Sequence, residues 1–293
     1  MDSPILFCGR EFSTEELKLV REVVTRHAGL SRMELAFTVC ELLQWERKSG
    51  GLKSRECRDF LELLDNKGLL DLPQKRKTKP VGTRTTVPIT ADGEPGTSLE
   101  GKVGDFEPIV LETVQSKQQR LLFRELIGRY HYLGYSVPFG ANLRYFISSG
   151  SRVLGCMQFS SPAWRMAARD QWIGWSDRER QDNLQRVVNQ SRFLILPWVN
   201  IANLASVVLS RVLHRLSQDW EAIYNIEPLL VETLVDESRY SGHCYKASNW
   251  ERLGLTTGRG RMDREHKLVG AQPKAIWIFP LKQDAAQRLR GQA

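Results

Sequence analysis

The chain has 293 residues, 41% of them hydrophobic, and 42 Lys+Arg against 34 Asp+Glu give a formal net charge of +8. That length is enough for two domains or one elaborated domain with a real core, and the basic balance favours nucleic acid or another polyanion as partner. The five cysteines (Cys8, Cys40, Cys57, Cys156 and Cys244) are odd in number and widely spaced, which argues against a disulfide framework and a zinc site and for a reducing cytosol. No apolar run is long enough to span a bilayer, and the first residues carry no signal-peptide pattern. A cytoplasmic protein with no membrane partner and no bound metal is expected.

Residues 1–73 are predicted helical. "STEELKLVREVVTRH" opens with Ser13 as N-cap and Glu16 three positions on, the capping-box spacing. "SRMELAFTVCELLQW" repeats the device with Ser31 and Glu34. "KSRECRDFLELLDNKG" is a third helix stopped by Gly68, and "LLDLP" reads as a small strand or wing. Two readings fit this segment. One is a winged helix-turn-helix whose third helix carries Lys53, Arg55 and Arg58 to nucleic acid. The other is a plain three-helix bundle with a solvated basic face. Residues 74–104 lack periodicity and are rich in Gly, Pro and Thr, so a linker is predicted. Its Lys75, Arg76, Lys77 and Lys79 suit phosphate contacts without base readout.

A mixed α/β domain is predicted over residues 105–283, with a basic tail over 284–293, and the whole chain is placed in the α+β class. "SKQQRLLFRELIGRY" is a helix and "HYLGYSVPFGAN" a loop. "LRYFISSGSRVLGCMQFSS" is a hairpin about a Ser-Gly-Ser turn. "SRFLILPWV", "PLLVETLVD" and "KAIWIFPL" are buried strands. Between the first two lies a long helix in which Leu204, Val208, Leu209, Val212 and Leu216 keep helical spacing. "CYKASNWERLGLTTGRG" reads as a short helix, a glycine stop and a basic turn.

This order of elements resembles the Gcn5-related N-acetyltransferase fold, most sharply at Trp250, Glu251, Arg252, Leu253 and Gly254. The longer segments "YHYLGY", "LGCMQFSSPAWRMAARDQWIGW", "NQSRFLILPWV", "NLAS" and "VETLVDESRYSGHCYKASNWERLGLTTGRG" resemble the bacterial DruA family, a component of Druantia anti-phage defence systems. Similar proteins sit beside transposases in mobile elements. The resemblance implies other defence subunits or a transposase as partners. It also implies an acetyltransferase-like cleft. The cofactor's phosphates would sit on a glycine turn before the long helix, where this chain has Pro197 to Asn203 and no glycine. Pro197 lacks an N–H where the fold uses strand backbone to hold the acyl carrier, and Trp250 stands where a tyrosine acid is usual. Standard acetyl-CoA chemistry is therefore not expected, and no cofactor is assigned.

Other polar groups carry the candidate site. Glu232, on an apolar strand, is either a general base with a raised pKa, or a residue that caps a loop or pairs with an interior arginine. Asp236 lies four extended residues on, about 13 Å away, too far to share a two-metal clamp with it. His131, between Tyr130 and Tyr132, is a candidate proton shuttle or a half-exposed packing residue. Tyr245 is a further catalytic candidate, or else a core residue. Tyr130, Tyr132, Tyr240, Asn249 and Trp250, with Asn203, Trp164 and Arg165, are assigned to the cleft. Arg259 and Arg261 follow as phosphate contacts, since aromatics stack on bases and arginines hold phosphates. Two functions remain open: an enzyme or degenerate enzyme acting on DNA or a nucleotide, and a binding module without chemistry.

Overall fold

The computed structural model describes residues 4–47, 52–74, 87–138, 140–256 and 272–292. The N-terminal part opens with a hairpin, β1 (Ile5–Phe7) and β2 (Arg10–Phe12), followed by α1 (Thr14–Arg26), α2 (Arg32–Leu42) and α3 (Ser54–Asn66). Both expected capping boxes form: Ser13 and Ser31 accept from the N–H groups of Glu16 and Glu34, whose side chains reach back. The wing does not, because residues 69–74 form no strand and the hairpin lies before the helices instead. On α3, Arg55 and Arg58 share the surface with Glu56, Asp59, Glu62 and Asp65. Arg58 pairs with Asp59 at 2.6 Å. Lys53 is its N-cap residue and makes no side-chain cap bond.

The helices are tied to the rest of the chain through α2, whose Glu34, Thr38 and Glu41 are buried. Glu34 accepts from the Ser161 hydroxyl. Arg180 reaches Glu41 at 3.5 Å, and Gln181 donates to the Glu41 carbonyl at 2.8 Å. Trp164, expected in the cleft, packs instead on Phe37 with ring centres 5.6 Å apart. The exposed Arg165 pairs with Asp177 at 3.8 Å.

The remaining elements are β3 (Leu99–Lys102), β4 (Ile109–Thr113), α4 (Lys117–Tyr130), β5 (Asn142–Ser149), β6 (Arg152–Ser160), α5 (Ala167–Ile173), α6 (Asp177–Asn183), β7 (Val187–Ile195), β8 (Val199–Ala202), α7 (Leu204–Tyr224), β9 (Leu230–Val235), α8 (His243–Ala247), β10 (Glu251–Leu255), β11 (Ala275–Pro280) and α9 (Ala285–Leu289). One seven-stranded sheet runs β10-β11-β9-β7-β6-β5-β4. Its neighbours are antiparallel except for β7 and β9, which are parallel and joined through α7. Side chains alternate across it as strand geometry requires. Leu230 and Ile278 face a cluster with Ile173 and Leu289, while Val231 and Trp277 belong to the larger core with α7.

Two expectations change here. Residues 99–102 of the expected linker are a strand, paired in parallel with β8 from Leu99–Val199 to Lys102–Ala202. The segment before α7 is therefore held by strand pairing, and Asn203 supplies its left-handed turn at φ +64°, a conformation asparagine tolerates better than most residues. Second, the helix after β9 ends at Ala247, Asn249 turns left-handed at φ +61°, and Glu251–Leu255 is an edge strand with a bulge between Arg252 and Gly254. Gly254 serves the bulge and does not stop a helix.

His27, at the C-terminus of α1, is buried with no partner for Nδ1. Burial, with Arg26 beside it, pushes its pKa from 6.5 to about 4. The unfolded chain binds a proton between those values that the folded chain does not. Its contribution to stability is thus lost as pH falls from about 6.5 toward 4, by on the order of 3 kcal/mol. His27→Asn should flatten this part of the stability profile, measured by urea unfolding at stepped pH. An unchanged slope in the variant would refute the assignment.

Candidate functional site

The sheet opens at its one parallel pair. β7 and β9 are bonded from Val187–Leu230 to Gln190–Thr233, but β7 continues to Ile195 and β9 to Val235 without further pairing to each other. In the gap lies a cleft of about 270 Å³. Its closed end is formed by Gln190, Thr233 and Tyr245, and its mouth by His131, Tyr132, Arg192, Asp236 and Tyr240.

The closed end is polar and fixed. The Tyr245 hydroxyl donates to Gln190 Oε1 at 2.9 Å, and the Thr233 hydroxyl donates to the Gln190 carbonyl at 3.0 Å. Tyr245 is clamped between Trp250 and Trp277, at ring distances of 5.1 and 6.1 Å. Burial drives its pKa far upward, so the phenol stays protonated. Nε2 of Gln190 is buried and has no hydrogen-bond partner.

The mouth is aromatic and charged, with Arg239 paired to Asp236 at 3.5 Å. Tyr132 lies 5.5 Å from Tyr240 and stacks on His131 at 4.9 Å. Arg239 stands 5.4 Å and Lys274 5.8 Å from the centre of the Tyr132 ring. Tyr240 is 52% exposed. Desolvation, with Arg192 and Lys274 nearby, pushes the His131 pKa to about 4, so the imidazole is neutral near pH 7. Its Nδ1 accepts from the Leu133 N–H at 3.2 Å, which leaves the proton on Nε2. The Asp236 carboxylate accepts from Ser238 Oγ at 2.6 Å and from the Ser238 N–H at 3.1 Å. Those bonds, led by the hydroxyl, hold its pKa below the ordinary value.

Glu232 is not in this cleft. It is one residue from Thr233 and so points through the other face of the sheet. There it is wholly buried and meets Arg169, also wholly buried, at 3.0 Å. Desolvation raises its pKa while Arg169 opposes the rise. The geometry matches the interior-arginine reading of Glu232, whose carboxylate is wholly buried against Arg169. Arg169 was legible only as one basic residue in a polar, tryptophan-rich segment.

The other expected cleft residues disperse. Tyr130 donates to the Gly93 carbonyl at 2.8 Å and packs edge-on against Trp198 at 5.0 Å. Trp250 is a core residue against Tyr245 and Phe279. Asn203 and Asn249 hold left-handed turns. Lys75, Arg76, Lys77, Lys79, Arg259 and Arg261 lie outside the described residues. Brought together are His131, Tyr132, Asp236, Tyr240 and Tyr245. Sequence reading missed Gln190, Arg192, Arg239 and Lys274. The signal for the first two was the polar run "NQSR" inside an otherwise apolar strand.

Among the described residues no helix is long and apolar enough to cross a membrane. No curated protein matches the chain. Among solved structures, a crystal structure of the aminoglycoside acetyltransferase AAC(6')-Ib in complex with coenzyme A is similar at a TM-score of 0.39 and 13% identity, over 62% of this chain and 99% of that one. A CoA-dependent acyl-homoserine lactone synthase, MesI, is similar at 0.34 and 12%, over 63% and 96%. The family described as Druantia protein DruA matches residues 64–272, and the chain belongs to the DruA family.

Proposed function

We propose that this chain is the nucleotide-recognising component of a Druantia-type anti-phage defence system, taking a nucleotide or a nucleotide unit of nucleic acid into the cleft between β7 and β9. One observation carries the reading: at the mouth, Tyr132 and Tyr240 stand beside the cations Arg239 and Lys274, with Arg192 lining the same cleft. A flat ring stacks on aromatics and a phosphate is drawn to Lys and Arg. A nucleotide carries both.

Recognition is favoured over turnover. A general acid or base works best with a pKa near the operating pH. In the cleft, His131 is held at about 4, Asp236 is held low, and Tyr245 is held protonated. None of them suits proton transfer at neutral pH.

The test is calorimetric titration of the full chain with 5′-mononucleotides and with the matching nucleosides. Binding of the nucleotides, weaker for the nucleosides and weaker with added salt, is the expected result. Equal affinity for nucleotide and nucleoside would remove the phosphate from the reading. No heat with any of them would overturn it.

A further inference from the structure

A row of arginines leads away from the cleft. Arg192, which lines it, is the cross-strand partner of Gln158 on β6, and Gln158 is the partner of Arg144 on β5. Residues directly opposite each other share a face of the sheet. The Gln158 side chain joins the two strands: Oε1 accepts from Arg144 Nε at 3.2 Å, and Nε2 donates to Ser191 Oγ at 3.1 Å. α4 packs on this face through Phe123, which meets Phe146 and Arg144, and it adds Arg120 and Arg124, four positions apart on one side of the helix. Arg124 stands 5.6 Å from the ring centre of Tyr135. The residues on either side of that tyrosine, Gly134 and Ser136, accept from Arg192 at 3.2 and 3.1 Å.

Among the described residues none of these four arginines makes an ion pair. The one carboxylate of α4, Glu125, turns to Thr90 and Arg129. Glu112, opposite Phe146 at the sheet edge, is exposed and pairs with none of them. Arg124, Arg144 and Arg192 are half-buried, and a cation drawn out of water without a countercharge is costly. Desolvation, with Arg124 close by, lowers the pKa of Arg144. Neutral acceptors and aromatic faces hold these side chains in place, and an anion is what they lack. A single phosphate cannot span the row, since Arg192 and Arg144 stand two strands, or about 10 Å, apart. A stacked strand of nucleic acid carries a phosphate about every 3.4 Å. We infer that the nucleotide in the cleft belongs to a single strand of nucleic acid, whose neighbouring phosphates lie along Arg192, Arg144, Arg124 and Arg120. The strand is single because a base inside the cleft has left any duplex. This rests on the nucleotide reading of the cleft above.

The experiment titrates the full chain with GMP, GTP and a labelled single-stranded DNA of about ten nucleotides, a length within the site sizes of strand-binding grooves, at several salt concentrations. The strand should bind more tightly than GMP or GTP. Each phosphate contact on a single strand contributes about 0.7 to the slope of log affinity against log salt. Arg120→Gln with Arg124→Gln should therefore lower the slope by about 1.4, so that a fourfold rise in salt weakens the wild type about sevenfold more than the variant. Arg144→Gln should lower it by about 0.7, and Arg144→Lys should restore it because the charge returns. Circular dichroism checks that each variant is folded, and GMP binding checks that its cleft is intact. GTP binding as tightly as the strand would assign the phosphates to a free nucleotide and overturn the inference while the cleft reading stands. A strand that binds no better than GMP, or a wild-type slope in the Gln variants, would overturn it in the same way. If the strand binds with the arginine-dependent slope and GMP does not bind, the row is supported and the cleft reading falls. If none of the three binds, both fail together.

Discussion

Replacing Arg169 with methionine should cost the fold about 3–5 kcal/mol, because it strands a carboxylate in the interior. Arg169 Nη1 donates to Glu232 Oε2 at 3.0 Å and to the Ala163 carbonyl at 2.9 Å, Nη2 reaches the Trp164 carbonyl at 3.3 Å, and Nε donates to Asp170 at 2.9 Å. The guanidinium thus fastens the turn before α5 to the middle of β9. Losing it removes these bonds and the countercharge at once. The double variant Arg169→Met, Glu232→Leu should recover much of the loss, since replacing both members of a buried pair with apolar groups is often close to neutral. Urea unfolding measures both, as a shift in midpoint at constant slope. Equal stability of the single variant and the wild type would show that the pair is not the anchor of this turn.

Tyr240→Ala should weaken nucleotide binding by roughly 5- to 150-fold, the range of about 1–3 kcal/mol for one stacked base. The fold should not change, because the ring is 52% exposed and its ring contact is with Tyr132, 5.5 Å away. Tyr240→Phe should bind nearly as the wild type does, since the stacking face is kept. The pair of variants separates ring stacking from any contact made by the hydroxyl, and an unchanged affinity in Tyr240→Ala would place the base elsewhere.

What was legible in the sequence was local. The capping boxes at Ser13 and Ser31 satisfy N–H groups three residues away, so their chemistry is written in a short window. The apolar spacing of α7 and the apolar runs of β7, β9 and β11 are equally local. What escaped was long-range pairing. β3 is the polar stretch "LEGK", and nothing in those letters announces a strand; it becomes one because β8 lies alongside. Glu232 looked available for chemistry because Arg169 is 63 positions away in sequence. Gln190 and Tyr245 are 55 positions apart, and only the fold makes them one unit. Tyr240 and Tyr245 were legible because aromatics cluster there in the chain, but the cations that complete the mouth come from β7 (Arg192), the turn after β9 (Arg239) and the approach to β11 (Lys274).

Hydrogen exchange of the full chain with and without GMP tests most directly whether the opening between β7 and β9 is the binding site. Protection is expected over residues 190–195 and 233–245, the two strands past their last shared bond and the turn that carries Tyr240. The amides of α3, where Arg55 and Arg58 share the surface with four carboxylates, should exchange as before. Protection confined to α3 with residues 190–195 unchanged would contradict the assignment and return the N-terminal helices as the nucleotide-facing part of the molecule.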